Sequence, residues 1–256
     1  MKLSRRTILI TGASAGIGRA VAEQLAAGDN NLILTARRAP LLDEVAAIVQ
    51  ARGSRCLALP ADALDESAAA QVVAQAAAQF GRIDAALLNI GDGPAYNMAT
   101  VGSADIKQCM QRNYDVVVNY LVPLIAHMKA NGGGLLAHTN SLAGFLGVPM
   151  QGPYSAAKSA ARLLFDTCRT ELRTANIRFT SVYPGFVATA RVAEDGIPAP
   201  FEISAEVCAG HIIRAMEHET CDALFPWQTR LMTRALQVLP KALAGRLMLG
   251  FTPQSY

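Results

Sequence analysis

Thr7-Ile8-Leu9-Ile10-Thr11-Gly12-Ala13-Ser14-Ala15-Gly16-Ile17-Gly18 is the stretch on which the fold turns. Thr7 to Thr11 is apolar and β-branched enough for a buried strand, and Gly16 opens a helical pattern that runs to Ala27. The glycines between them permit a tight turn and let an anion come close to backbone N–H groups, while the helix N-terminus adds partial positive charge. A pyrophosphate is the ligand such a loop suits. The spacing is G-x-x-x-G-x-G rather than the G-x-G-x-x-G dinucleotide fingerprint, and glycine loops also arise for steric reasons alone, so its place between strand and helix carries the reading.

Outward from this unit the same alternation repeats. Further strands are expected at Leu32 to Ala36, Arg55 to Pro60, Ala85 to Asn89, Leu135 to Thr139, Arg178 to Val182 and Asp222 to Phe225. Between them lie helical patterns at Pro40 to Arg52, Glu66 to Phe80, Ala104 to Ala130, Tyr154 to Thr174 and Ala205 to Glu217. Runs apolar on both faces, separated by helices, predict a parallel sheet covered on both sides: a doubly wound, Rossmann-like α/β fold in a single domain. Its catalytic, dinucleotide-binding part is expected over residues 1–225.

Two segments break the rhythm. Thr189 to Ile203 holds Gly196, Pro198 and Pro200 without clear periodicity, the mark of a lid over a site or of an ordinary surface loop. Residues 226–256 form a basic amphipathic tail: Trp227, Leu231, Leu236, Leu239, Leu243, Leu247 and Phe251 accompany Arg230, Arg234, Lys241 and Arg246, with no acidic residue after Asp222. Such a tail packs on its own domain or on a sister chain, with an anionic membrane surface as the less favoured third home.

Composition closes off other classes. The chain has 256 residues, 52% hydrophobic and 17% charged, enough apolar material for a large core and unlike a disordered chain. Its net charge is only +3 and no dense basic block precedes the tail, which argues against nucleic acid as a partner. Cys56, Cys109, Cys168, Cys208 and Cys221 are odd in number and far apart, without histidines at ligand spacing, so neither a disulfide framework nor a metal site is expected. Met1 to Ala15 imitates a secretory signal, but its apolar part, Ile8 to Ile10, falls short of the roughly 7 to 15 residues required. The longest apolar run, Val116 to Met128, contains Asn119, Pro123 and His127 and is shorter than the roughly 20 residues of a spanning helix. A soluble cytoplasmic protein is the expectation.

The second strand ends at Ala36, where dinucleotide folds that select NAD place Asp or Glu to bind the ribose. Here Arg37 and Arg38 follow instead, so nothing repels a 2′-phosphate and a guanidinium is at hand to bind it. NADP(H) is favoured over NAD(H).

The chemistry is carried by Tyr154 and Lys158, four apart and hence on one face of a helix. An ammonium beside a phenol stabilises phenolate. To exchange protons near neutrality a tyrosine must titrate roughly 2 to 3 pH units below its ordinary value near 10, which asks for roughly 3 to 4 kcal/mol. The lysine and an oxidised nicotinamide cation are suitable sources. Ser141 follows the fifth strand, at the carboxyl edge where ligands bind in open α/β sheets, and its hydroxyl is placed to hold a substrate oxygen. Asn113 interrupts the apolar line Ile106, Cys109, Val117, Tyr120 and Leu124. A buried amide needs partners: either a water shared with Lys158, which would carry protons, or plain backbone groups.

These residues together resemble the short-chain dehydrogenase/reductase family. The resemblance spans nearly all of Thr7 to Phe225: T-G-x-x-x-G-I-G at Thr11 to Gly18, Asp62 after the third strand, Asn89-Ile90-Gly91 after the fourth, then Asn113, Ser141, Tyr154-x-x-x-Lys158 and Pro184-Gly185-x-Val187-x-Thr189. It implies an active-site tetrad of Asn113, Ser141, Tyr154 and Lys158. It further implies adenine contact by Asp62, and a segment around nicotinamide with Val187 and Thr189 as contacts. The cofactor-binding set is then Gly12, Ser14, Gly16, Ile17, Gly18, Arg37, Arg38, Asp62, Asn89, Gly91, Tyr154, Lys158, Pro184, Gly185, Val187 and Thr189. One departure stands out: Leu88-Asn89-Ile90-Gly91 replaces the usual Asn-Asn-Ala-Gly, which puts the polar bracing of the fourth strand in question and gives Ile90 a chance to reshape the adenine-side wall.

The implied activity is a reversible NADP(H)-dependent carbonyl reductase or secondary alcohol dehydrogenase, a homo-oligomer (dimer or tetramer) acting on a small molecule. Few charges between Thr189 and Ile203, with Phe145, Leu146, Val148, Pro149, Met150 and Phe201 in addition, hint at an apolar substrate. Two rivals keep the fold. One is a sensor or scaffold that binds NADP(H) without turnover; the other is a dehydratase or epimerase using the same tyrosine, for which no extra substrate domain is evident.

Overall fold

The computed structural model describes residues 1–189 and 199–250. Among the described residues seven strands form one wholly parallel sheet: β1 (Thr7–Thr11), β2 (Asn31–Ala36), β3 (Arg55–Pro60), β4 (Ala85–Leu88), β5 (Gly134–Thr139), β6 (Ile177–Pro184) and, after two short strands, β9 (Asp222–Phe225). Their spatial order is β3-β2-β1-β4-β5-β6-β9. Successive side chains alternate between faces, so Ile8 and Ile10 enter one core and Leu9 the other, all fully buried.

On the first face lie α1 (Gly16–Leu25), α2 (Ala39–Ala51) and α7 (Ala205–Glu217), through Val21, Val45 and Ile212 among others. On the second lie α3 (Glu66–Phe80), α5 (Val116–Ala130) and α6 (Gly152–Glu171), through Val72, Tyr120 and Phe165. This is the doubly wound arrangement expected. After β3 the chain crosses back to place β4 on the other side of β1, so the loops leaving β1 and β4 part and open a crevice at the carboxyl edge.

Helix ends follow local chemistry. Asp65 caps α3 by accepting from the Ala68 N–H, and Ser204 caps α7 by accepting from the Val207 N–H. Helix α6 starts two residues before Tyr154, with Pro153 in its first turn, where the missing N–H has no cost.

Two features differ from the sequence expectation. The single helix expected over Ala104 to Ala130 is α4 (Ser103–Met110) and α5 joined by a π-helical turn, Gln111–Asp115, with Asn113 at its centre. Among its described residues the tail holds two helices, α8 (Trp227–Val238) and α9 (Lys241–Leu249), and α8 packs on its own domain through buried Thr229, Thr233 and Leu236. Most of the expected lid at Thr189 to Ile203 lies outside the described residues. Its two ends are joined by the small parallel ladder of β7 (Val187–Ala188) and β8 (Ile203–Ser204).

Candidate active site

The glycine loop is shaped by close approach. Gly12 and Gly16 have φ of +67° and +54°, conformations that side chains disfavour. A Cβ on Gly18 would lie 2.4 Å from the Gly12 carbonyl oxygen, so this glycine lets α1 start against the loop. Two segments converge there, one with Asn89 Nδ2 against Gly18 and Ile90 against Gly12, the other with the Thr189 methyl group 3.4 Å from where a Gly16 Cβ would be.

Around this loop opens a cleft of about 890 Å³. It is bordered at one end by Gly12, Ser14, Gly16, Ile17, Arg37, Arg38 and Asp62, and further in by Asn89 and Gly91. Ser141, Tyr154, Lys158, Pro184, Gly185 and Val187 also border it, as does Thr189 beside Gly16. Of the residues singled out from sequence, Gly18 and Asn113 do not border it. They stand behind its wall.

Tyr154 and Lys158 share one face of α6, with Lys158 Nζ 5.6 Å from the Tyr154 ring centroid. The lysine is buried, and its ammonium donates to the Thr139 carbonyl at the end of β5 over 3.0 Å. The Tyr154 ring lies against Gly93, where a Cβ would come within 2.8 Å of it. Ser141 leaves β5 in extended conformation and accepts from the Ala143 N–H over 3.2 Å, which leaves its own hydroxyl proton to donate.

Asn113 is fully buried. Its Oδ1 accepts from the Asp92 N–H over 2.9 Å, while Nδ2 donates to the carbonyls of Asp92 and Cys109. The water contemplated from sequence is therefore not needed to satisfy this side chain: backbone groups do it, and in doing so they fix the Asp92–Gly93 segment against Tyr154. Asn113 Oδ1 and Lys158 Nζ nevertheless flank the same glycine, each about 3 Å from where a Gly91 Cβ would be.

Asn140, which sequence reasoning missed, couples these parts. It accepts from the Ser141 N–H over 2.8 Å and donates to the Lys158 carbonyl over 3.0 Å, tying the end of β5 to α6. Only its place beside Ser141 could have hinted at this. The tail was also missed as a cleft wall, although Thr229, Met232, Thr233 and Leu236 recur at the i, i+3, i+4, i+7 spacing of one helix face and border the cleft. Of the apolar substrate group, Leu146, Val148, Pro149 and Met150 border it, but Phe145 turns away onto Tyr183, ring centroids 4.6 Å apart, and Phe201 is on the surface.

The departures at Leu88 and Ile90 have a local resolution. Thr11 Oγ1 accepts from the Asn89 N–H over 2.9 Å and donates to the Leu87 carbonyl, so a hydroxyl on β1 braces the end of β4 while Leu88 joins the core. Behind Lys158, His138 is wholly buried with both ring nitrogens unpartnered among the described residues. Burial first, and then the Lys158 charge, hold its pKa well below the ordinary 6.5, so it is neutral.

The cleft fits a nicotinamide dinucleotide. A Cβ at Gly18 would displace the Gly12 carbonyl from behind the loop, and Asn89 and Thr139, which border the cleft, each carry a buried side-chain oxygen without a protein partner among the described residues.

A family model for short chain dehydrogenase matches residues 6–197. An uncharacterised oxidoreductase of Myxococcus xanthus is 28% identical over 242 residues, 94% of this chain and 96% of the relative. A ketoacyl reductase of Nostoc sp. is 26% identical over 253 residues, 93% of this chain and 86% of the relative. The crystal structure of a short-chain type dehydrogenase/reductase from Mycobacterium marinum matches with a TM-score of 0.80 at 25% identity, covering 88% of this chain and 95% of that one.

Proposed function

The chain belongs to the short-chain dehydrogenase family of oxidoreductases, and on that footing we propose that it interconverts a carbonyl compound and a secondary alcohol with NADP(H) in preference to NAD(H). The observation that carries this reading is Tyr154 beside Lys158 on one face of α6, opening into the cleft that the glycine loop borders. Gly12, Ser14, Gly16 and Ile17 would hold the pyrophosphate, Asp62 the adenine side, and Asn89, Gly91, Pro184, Gly185, Val187 and Thr189 the nicotinamide half. When bound, the dinucleotide supplies a hydride in reduction and takes one up in oxidation.

In the reductive direction Tyr154 gives its phenolic proton to the carbonyl oxygen, and Ser141 donates a hydrogen bond to the same oxygen. Lys158, seated on the Thr139 carbonyl, stabilises the phenolate left behind. Lys158 begins the relay by which the tyrosine regains its proton, and Asn113, next to it at Gly91, supports that relay by holding the Asp92 backbone in place. Ala36 at the end of β2 leaves a 2′-phosphate unopposed, and Arg38, donating to Ser14 over 3.2 Å, stands with Arg37 to bind it. Leu146, Val148, Pro149 and Met150 favour an apolar substrate. Carbonyl reduction is also what the name of the Nostoc relative describes. Val122 and Leu163, 60% and 57% exposed on α5 and α6, favour a homo-oligomer, and five free thiols suit a reducing cytoplasm.

Tyr154→Phe tests the reading. Oxidation of NADPH on a panel of apolar ketones, followed by nicotinamide absorbance, should fall by roughly 10² to 10⁴-fold, while NADPH binding by fluorescence titration persists. Unchanged turnover in this variant overturns the proposed chemistry. Binding without oxidation of any ketone by the wild type would favour a non-catalytic module.

A further inference from the structure

Helix α8 wears its apolar side outward. Trp227, Leu231 and Val238 are 69%, 62% and 84% exposed, and they share one stripe with exposed Arg230 and Arg234 at the i, i+3, i+4, i+7, i+11 spacing of a helix face. The inner stripe, by contrast, carries two threonines and lines the cleft. A surface helix that only covers its own domain has the reverse polarity. Helix α9 extends the pattern with exposed Leu243, Leu247 and Leu249 beside Lys241 and Arg246.

Charge decides what this face suits. Arg230, Arg234, Lys241 and Arg246 have no acidic neighbour in sequence after Asp222, and among the described residues none of the four enters an ion pair. A second copy docked through a twofold axis on this stripe would set the same cations against each other. An anionic surface with an apolar interior meets both halves of the pattern. We propose that α8 and α9 form a peripheral docking face for an anionic lipid bilayer, with Trp227, Leu231 and Val238 entering the headgroup boundary and the four cations meeting lipid phosphates and carboxylates. No helix of the described residues is long and apolar enough to cross a membrane, so the contact lies along the surface. Since the inner stripe of α8 borders the cleft, a docked molecule holds its cleft about one helix diameter, roughly 10 Å, from the lipid.

The chain's single tryptophan, Trp227, reports on this contact directly. The full protein is mixed with phosphatidylcholine vesicles with and without phosphatidylserine. The expected result is a blue shift of tryptophan emission and co-sedimentation with the anionic vesicles alone, both lost in high salt. Each basic residue near such a surface contributes roughly five-fold in partitioning, so Arg230→Glu with Arg234→Glu should weaken binding by at least about 25-fold. Leu231→Gln should weaken it at unchanged salt dependence, with the circular dichroism and melting temperature of the wild type, because the side chain is solvent-facing. Absence of vesicle binding at low salt, or equal binding to neutral vesicles, overturns the proposal. So does a lipid-free oligomer that Leu231→Gln dissociates, which would assign the face to a second copy.

Discussion

Gly93→Ala is the most searching perturbation of the site, because it moves the tyrosine without altering any functional group. A Cβ on Gly93 would lie 2.8 to 3.0 Å from Tyr154 Cδ2, Cε2 and Cγ, where ordinary carbon contacts are about 3.5 to 4.0 Å. The backbone of Gly93 itself is not in the left-handed region, so alanine brings no conformational penalty there. Nor can the loop readily retreat: Gln151 Nε2 holds the Gly93 carbonyl over 3.1 Å, and Asn113 grips Asp92 from both its N–H and its carbonyl. The ring must therefore withdraw by roughly 0.7 to 1 Å, a displacement that costs about 10²-fold in rate when reacting atoms are held in near-attack geometry. That loss equals about 2.7 kcal/mol of barrier. Overpacking of this kind also lowers stability by about 1 to 3 kcal/mol, or several degrees of melting temperature. The assay is kcat/KM on an apolar ketone by nicotinamide absorbance, with NADPH titration and thermal unfolding alongside. Gly245→Ala, with no heavy atom within 4 Å of the added carbon, serves as control and should keep full activity. The reasoning is refuted if Gly93→Ala melts lower yet keeps its kcat/KM, or if it loses a further hundredfold when Tyr154 is already phenylalanine, since then the damage lies elsewhere.

Gly18→Ala sets a carbon 2.4 Å from the Gly12 carbonyl oxygen and 2.9 Å from Asn89 Nδ2, and should weaken NADPH binding more than about tenfold by calorimetric titration, through distortion of the loop. Arg37→Ala with Arg38→Ala should raise the KM for NADPH by roughly 10 to 100-fold and leave that for NADH nearly unchanged, the loss of charge-assisted bonds worth about 1.5 to 3 kcal/mol. His138→Leu tests a buried histidine whose pKa is held well below 6.5. The folded protein keeps it neutral while the unfolded chain takes up a proton below about pH 6.5, so stability from this group is whole above that pH and is lost as the pH falls, at up to about 1.4 kcal/mol per unit. Urea unfolding between about pH 7.5 and pH 5 should show the variant losing less stability than the wild type across that range, and equal slopes would show that His138 is not the group titrating.

Much of this fold is legible because local chemistry and tertiary need agree. Glu66–Phe80, Ala205–Glu217 and Asp222–Phe225 lie where sequence alone puts them, the first two introduced by capping Asp65 and Ser204 and the first ended by Gly81. The grouping of Ser141, Tyr154 and Lys158 at one cleft is legible for a related reason: a strand end and a helix period fix their places. The π-helical turn at Gln111–Asp115 was not, since no glycine or proline marks it. It goes with a contact remote in sequence, Asn113 to the backbone of Asp92, which the helix pattern of either segment alone cannot foretell. The inner wall supplied by α8 escaped notice because Thr229 and Thr233 are polar, and a pattern search for apolar residues assigns the wrong side of that helix to the core.

The unusual Leu88 and Ile90 show why a motif departure need not unmake a site. An amide at position 88 would sit within an apolar core cluster, where it would need partners; leucine needs none, and the Thr11 hydroxyl meets the polar groups on either side, at Leu87 and Asn89. Ile90 in turn reaches within 3.3 Å of where a Gly12 Cβ would be, so the same residue that departs from the family pattern also seats the loop. With Asn89 against Gly18 and Thr189 against Gly16, the loop meets the ends of β4 and β7 at three glycines. Its shape is thus imposed from outside as much as by its own glycines. A substitution at Ile90 or Thr189 would act on the anion cradle without touching any residue that holds the anion.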